Sequence, residues 1–251
     1  MNIRLSPLLA ISLHLAACTS SSTVKQDPNE PSASDIFVRK GAQYMENGQL
    51  EIALRDLQHA VDLDPRNAEA HNALAALYER LNRPEDAFSH YEKALSLDEN
   101  DGNTLNNYGR LLCGQGKHEQ AMGLFRRAID AKLYRQPWVP LTNAGICSRS
   151  TGKTQEAAEY LRRALESNPT FSPTLLEMAK LSLEEGQYMS ARAFLQRYES
   201  AAGPTAESLW IGFQTEHALG NLASQRDYAN ALRSRFPDSR EAAQLRKLDA
   251  D

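Results

Sequence analysis

Aromatic residues are scarce in this chain. Phe, Trp and Tyr together make up 7% of 251 residues. Sheets draw on aromatic and β-branched side chains, so this shortage, beside abundant Ala and Leu, favours helix over strand. A surplus of positive charge is also missing: 28 Lys and Arg face 32 Asp and Glu, for a net charge of −4. Nucleic-acid binders usually show their basic face in that total, which argues against nucleic acid as a partner. Beyond the first twenty residues no stretch approaches 18 consecutive apolar residues, so no transmembrane helix is expected there.

The residues that carry chemistry do not converge either. His59, His71, His90, His118 and His217 form no HExxH or other metal spacing, and the partner that His118-Glu119 would need is Met122. "STGKT", Ser150 to Thr154, looks like the end of a phosphate-binding loop. The Gly that the motif needs five residues before Gly152 is Cys147, and a preceding strand is not expected. No Ser-His-Asp or paired-carboxylate arrangement separates itself from the solvated charges. The expectation is a binding protein and not an enzyme, with no metal, cofactor or small-molecule substrate.

The N-terminus has a layout of its own. "MNIRLSPLLAISLHLAAC" places Arg4 ahead of an apolar run from Leu5 to Ala17, broken by Ser6, Ser12 and His14. That is a secretory signal over 1–17, too short to span a bilayer. Its end, "LAAC", resembles the lipobox of bacterial lipoproteins, which implies a lipidated Cys18 as first residue of the mature chain. Thr19, where Asp would retain such a protein in the inner membrane, implies outer-membrane delivery. Acyl chains contribute about 0.8 kcal/mol per buried methylene, so more than one anchors firmly. Residues 18–33, rich in Ser, Pro and polar side chains, read as a flexible tether; fifteen such residues span about 20 Å.

After the tether the chain repeats. Ala53, Ala87, Ala121, Ala157 and Ala191 recur, as do Ala60, Ala94, Ala128 and Ala164, at steps of 34 with one of 36. Gly41, Ala75, Gly109, Gly145 and Ala179 keep the beat upstream, and Leu57, Tyr91, Phe125, Leu161 and Leu195 downstream. A 34-residue period with small residues at helix crossings is the tetratricopeptide signature. The fold expected is all-α, a right-handed superhelical solenoid of six helix-turn-helix repeats: 34–67, 68–101, 102–137, 138–171, 172–205 and 206–239, then a closing helix in 240–251. Gly48, Gly116, Gly152, Gly186 and Gly220 mark the turns inside units. Ser32 with Asp35 fits a capping box, Thr205 can cap the sixth unit, and Ser172-Pro173 puts Pro at a first helical position. The third unit carries two extra residues near "KLYRQPW", and the last is degenerate, with Gln225 where Ala is expected.

In such repeats the first helix of each unit lines the concave face, with positions 2, 5, 6, 9, 12 and 13 pointing into it. Asn72 and Asn106 fall at position 5, Asn107 and Asn143 at 6, Arg110 at 9 and Arg149 at 12. Asn is a poor helix former, and its amide both donates and accepts. These six residues are the candidate partner-binding groove, the alternative being a merely solvated polar face. On the groove reading, replacing Asn106 and Asn107 by Ala keeps or slightly raises helix stability while weakening partner binding.

"NNYGRLLCGQGKHEQAMGLFRRAI" (106–129), "NAGICSRSTGKTQEAAEYLRRAL" (143–165), "LLEMAKLSLEEGQYMSARAFLQRY" (175–198) and "TAESLWIGFQTEHALG" (205–220) resemble the type IV pilus biogenesis/stability lipoproteins, the PilF/PilW pilotins. The resemblance implies a periplasm-facing, outer-membrane lipoprotein that binds subunits of the pilus secretin and promotes their localisation and assembly. The alternative is another periplasmic repeat lipoprotein, an adaptor for outer-membrane barrel assembly or for peptidoglycan enzymes. Cys113 and Cys147 lie 34 residues apart in neighbouring repeats, and spacing alone leaves open a disulfide or two buried thiols. That pilotins often carry cysteines there as a pair implies the bond.

Overall fold

The computed structural model describes residues 30–248. The expected signal segment 1–17, Cys18 and the tether as far as residue 29 lie outside the described residues. Among those described, thirteen helices follow one another without a strand: α1 (Ala33–Glu46), α2 (Leu50–Leu63), α3 (Ala68–Arg80), α4 (Pro84–Leu97), α5 (Gly102–Gly114), α6 (His118–Asp130), α7 (Trp138–Ser150), α8 (Thr154–Ser167), α9 (Ser172–Glu184), α10 (Tyr188–Ala202), α11 (Ala206–Ala218), α12 (Leu222–Arg235) and α13 (Arg240–Leu248).

Local signals account for the ends. Ser32 accepts from the Asp35 amide while the Asp35 carboxylate accepts from the Ser32 amide, and Thr205 with Ser208 repeats the arrangement ahead of α11. Pro173 departs from expectation by one residue: α9 starts at Ser172 with Phe171 as its cap, so Pro173 sits second in the helix. Either place tolerates Pro, because first-turn amides have no intrahelical partner. At the turn between helices Gly116 has φ +74°, and Lys117 N–H returns to the Leu112 carbonyl. The second unit makes the same turn with Asn82 at φ 55°, a substitution Asn tolerates better than other side chains. The two extra residues lengthen the segment between α6 and α7, 131–137, and leave Leu133 almost fully exposed.

Each pair closes where a small residue on its first helix meets a large one on its second. A Cβ added to Gly109 would stand 2.7 Å from the Phe125 ring, and one on Gly145 2.7 Å from Leu161. Leu57, Tyr91, Phe125, Leu161 and Leu195 are all buried at these crossings, beside alanines with almost no exposure. The sixth pair crosses one residue early, Gly212 against Tyr228. The positions a 34-residue step would reach, Phe213 and Ala229, carry the large and small residues exchanged, which is the packing form of its degeneracy. α13 then rests on α11 and α12, burying Ala242 and Leu245. A solenoid stops stacking when its last unit is covered this way.

Candidate partner-binding groove

The curvature follows from which helices touch. Each odd-numbered helix packs against the next odd-numbered one from α1 to α11, whereas no two even-numbered helices pack backbone to backbone among the described residues. An array in contact along one row only bends toward that row. The odd helices therefore form an inner wall and the even ones fan out behind it.

The structure brings the four predicted asparagines together on this wall, and it spends their hydrogen bonds on one another. Asn143 Nδ2 of α7 donates to Asn106 Oδ1 of α5 at 2.8 Å. Asn106 Nδ2 reaches Asn107 Oδ1 at 3.4 Å, and Asn107 Nδ2 donates to Asn72 Oδ1 of α3 at 3.3 Å. The result is a ladder of amides across the seams of repeats two, three and four. Asn106 is only 6% exposed, so it is a seam residue and does not face an open groove. Asn72, Asn107 and Asn143 are half-buried.

Neither arginine is a free cation. Arg110 Nη2 lies 3.0 Å from Glu79 Oε2 of α3, and Glu79 also accepts from the Tyr91 hydroxyl. Burial, with the Glu79 charge and hydrogen bond added, pushes the Tyr91 hydroxyl far up and keeps it a donor. Arg149 bonds Glu184 of α9 at 2.7 Å and approaches Glu177 at 3.1 Å. Glu177 in turn holds Lys180, which reaches Glu207 of α11 at 2.6 Å. Burial by itself would lower the Lys180 pKa, but its bonds to Glu177 and Glu207 outweigh this and raise it. An ion chain thus runs from α7 to α11 where the asparagine ladder ends.

Sequence reasoning missed Glu79, Glu177, Lys180, Glu184 and Glu207, although the signal was present. Counted from the unit starts they fall at positions 12, 6, 9, 13 and 2, the set already assigned to the concave face. Scanning those positions for opposite charges in adjacent units finds the pairs. His118, which histidine spacing alone leaves without a role, stands beside the cysteine pair. Cys113 and Cys147 are bonded, with Cα atoms 5.9 Å apart, and His118 Nδ1 lies 3.8 and 3.6 Å from their sulfurs. "STGKT" occupies the α7–α8 turn with a helix before it, which is not phosphate-loop geometry.

Known proteins place this wall in context. Models described as tetratricopeptide or TPR repeats match residues 41–82, 68–101, 90–122 and 149–208. The type IV pilus assembly protein PilF of Pseudomonas aeruginosa is 29% identical over 244 residues, 96% of this chain and 97% of that one. The crystal structure of PilW, described as a widely conserved type IV pilus biogenesis factor, aligns with a TM-score of 0.78 at 29% identity over 86% of this chain and 99% of that one. A Pseudomonas aeruginosa PilF structure aligns with a TM-score of 0.74 at 29% identity, over 85% and 96%.

Proposed function

We propose, from the premise that this chain belongs to the tetratricopeptide-repeat family, that it is a periplasmic scaffold for type IV pilus biogenesis, held at the outer membrane by acyl chains on Cys18. It binds subunits of the pilus secretin along the inner wall and promotes their delivery and multimer assembly, acting by binding and not by catalysis. The observation that supports this best is colinearity: the likeness to PilF runs through nearly the whole of both chains. The match takes in 96% of this chain and so extends beyond the helical array of 33–248.

The wall suits an extended or helical segment of another protein. Its amides are held in place by the ladder, so little side-chain entropy remains to be lost when a partner docks. Its half-buried amides hydrogen-bond main chain without reading sequence.

The deciding experiment is an affinity capture from outer membranes of a piliated host, with the chain tagged at its C-terminus. Recovery of the secretin multimer by wild type supports the reading. Capture of barrel-assembly or peptidoglycan proteins without secretin overturns it. A parallel Cys18→Ser variant is expected to fold normally, appear in the soluble periplasm and leave secretin poorly assembled. If that variant stays with the outer membrane and supports full assembly, the lipid is not the means of delivery.

A further inference from the structure

We propose that Cys113, Cys147 and His118 form a binding site for one zinc-class divalent cation, assembled when the Cys113–Cys147 disulfide is opened. The three ligand atoms lie within 4.8 Å of one another. They come from three elements, α5, the start of α6, and α7, so an ion bound there joins the same two repeats that the disulfide joins.

Distances carry the argument. Around tetrahedral zinc, with bonds of about 2.3 Å to sulfur and 2.0–2.1 Å to imidazole nitrogen, neighbouring ligand atoms stand roughly 3.5–3.8 Å apart. His118 Nδ1 is already 3.6 Å from Cys147 Sγ and 3.8 Å from Cys113 Sγ. Only the sulfur–sulfur separation must widen, and it does so once the bond between them is broken. Cys147 is buried while Cys113 and His118 are half-buried. A cavity of about 570 Å³, lined by Cys113, His118, Arg110 and Asn143 among others, opens onto Cys113 and His118, with the buried Cys147 behind them. Two thiolates and a neutral imidazole are a donor set that borderline-soft cations prefer to calcium or magnesium. Three protein ligands leave one coordination position, which water or a donor from a partner fills.

The chemistry balances with a dithiol reductant. Its two thiols give two electrons and two protons to the disulfide, leaving two protein thiols and the reductant's own disulfide. The cation then displaces the two thiol protons. Bond and ion exclude each other, so the clamp between repeats three and four exists in two interchangeable forms. The expectation from sequence, no metal site, rested on histidine spacing within helices and does not see ligands that meet across two repeats.

The test uses the mature chain, reduced with a phosphine, freed of reductant under argon and checked for helicity by circular dichroism. Cobalt(II) is then titrated in. The expected result is one equivalent bound, with thiolate-to-cobalt charge transfer and tetrahedral visible bands that zinc abolishes, and no such bands in the oxidised chain. His118→Ala is expected to weaken cobalt binding by roughly tenfold or more, since even residues that only orient a ligand are worth 10–100-fold. A reduced chain that has lost its helices overturns the proposal. So does a folded reduced chain without thiolate bands, or an unchanged cobalt affinity in His118→Ala.

Discussion

Replacing Asn106 by Ala separates what the asparagines do in the fold from what they offer a partner. In an isolated helix the change is favourable by up to about 0.7 kcal/mol, because Ala is the better helix former. In this structure it removes the acceptor of the 2.8 Å bond from Asn143 and a weaker contact with Asn107. An intramolecular hydrogen bond is worth about 0.5–1.5 kcal/mol net, and a buried amide left without a partner costs about 1–3 kcal/mol. Asn143 is half-buried, so water recovers part of that loss and the lower end applies. The sum is a net destabilisation of about 0.5–2 kcal/mol, the reverse of what the sequence reading expects for the double alanine variant.

The assay is urea unfolding followed by circular dichroism, with denaturant slopes compared first, because solenoid repeats couple only to their neighbours. Asn143→Ala and the double variant Asn106→Ala, Asn143→Ala complete a cycle, whose coupling is expected at about 0.5–1.5 kcal/mol. An unfolding midpoint that stays put or rises in Asn106→Ala, with additive free energies in the double variant, refutes the ladder. The asparagines then return to the solvated-surface explanation.

Other perturbations test other parts of the solenoid. Phe125→Ala empties a fully buried ring site opposite Gly109 and is expected to cost about 3–5 kcal/mol in the same assay; a loss below about 1 kcal/mol contradicts the crossing contact. Replacing both Cys113 and Cys147 by Ser frees a loop with a sequence separation of 34, and the chain-entropy relation puts the loss at about 3–4 kcal/mol in a comparison of oxidised wild type with the variant. His71 and His90 share a 2.9 Å Nδ1–Nδ1 contact, in which one ring donates and the other accepts. Burial holds both below the ordinary histidine range, and for His90 the neighbouring His71 adds to this. The unfolded chain therefore binds more protons than the folded one as pH falls below about 6.5. Stability present above that pH is lost on the way down to the folded pKa values, and a double His71→Gln, His90→Gln variant should flatten the difference between midpoints at pH 7.5 and 5.5.

The architecture was more legible than the wall it presents. Helix ends such as Ser32 and Thr205, and turn residues such as Gly116, are set by chemistry within a few positions of themselves, so a linear reading finds them. The positions assigned to the groove were legible as a register along each first helix, but the state of their side chains was not: Asn106 is buried in the seam. Arg110 and Arg149 read as groove residues available to a partner, and the structure pairs them with Glu79, Glu177 and Glu184. Reading one side chain at a time hides the partner, which lies in the next repeat.

Legible along the chain are the unit and its recurrence: helical hairpins, small residues opposite large ones, and turns that need φ above zero. Each depends on residues close together in the chain, and five units state the same requirement five times. The pairing between units comes from three-dimensional packing: the amide ladder from Asn72 to Asn143, the ion chain from Arg149 to Glu207, and His118 beside the cysteine pair. Bonds such as Asn107 to Asn72 and Asn143 to Asn106 join residues 35 and 37 positions apart. Whether such atoms come within hydrogen-bonding reach depends on the stagger and rotation of one helix past the next, which the packing of whole repeats sets and no local pattern encodes.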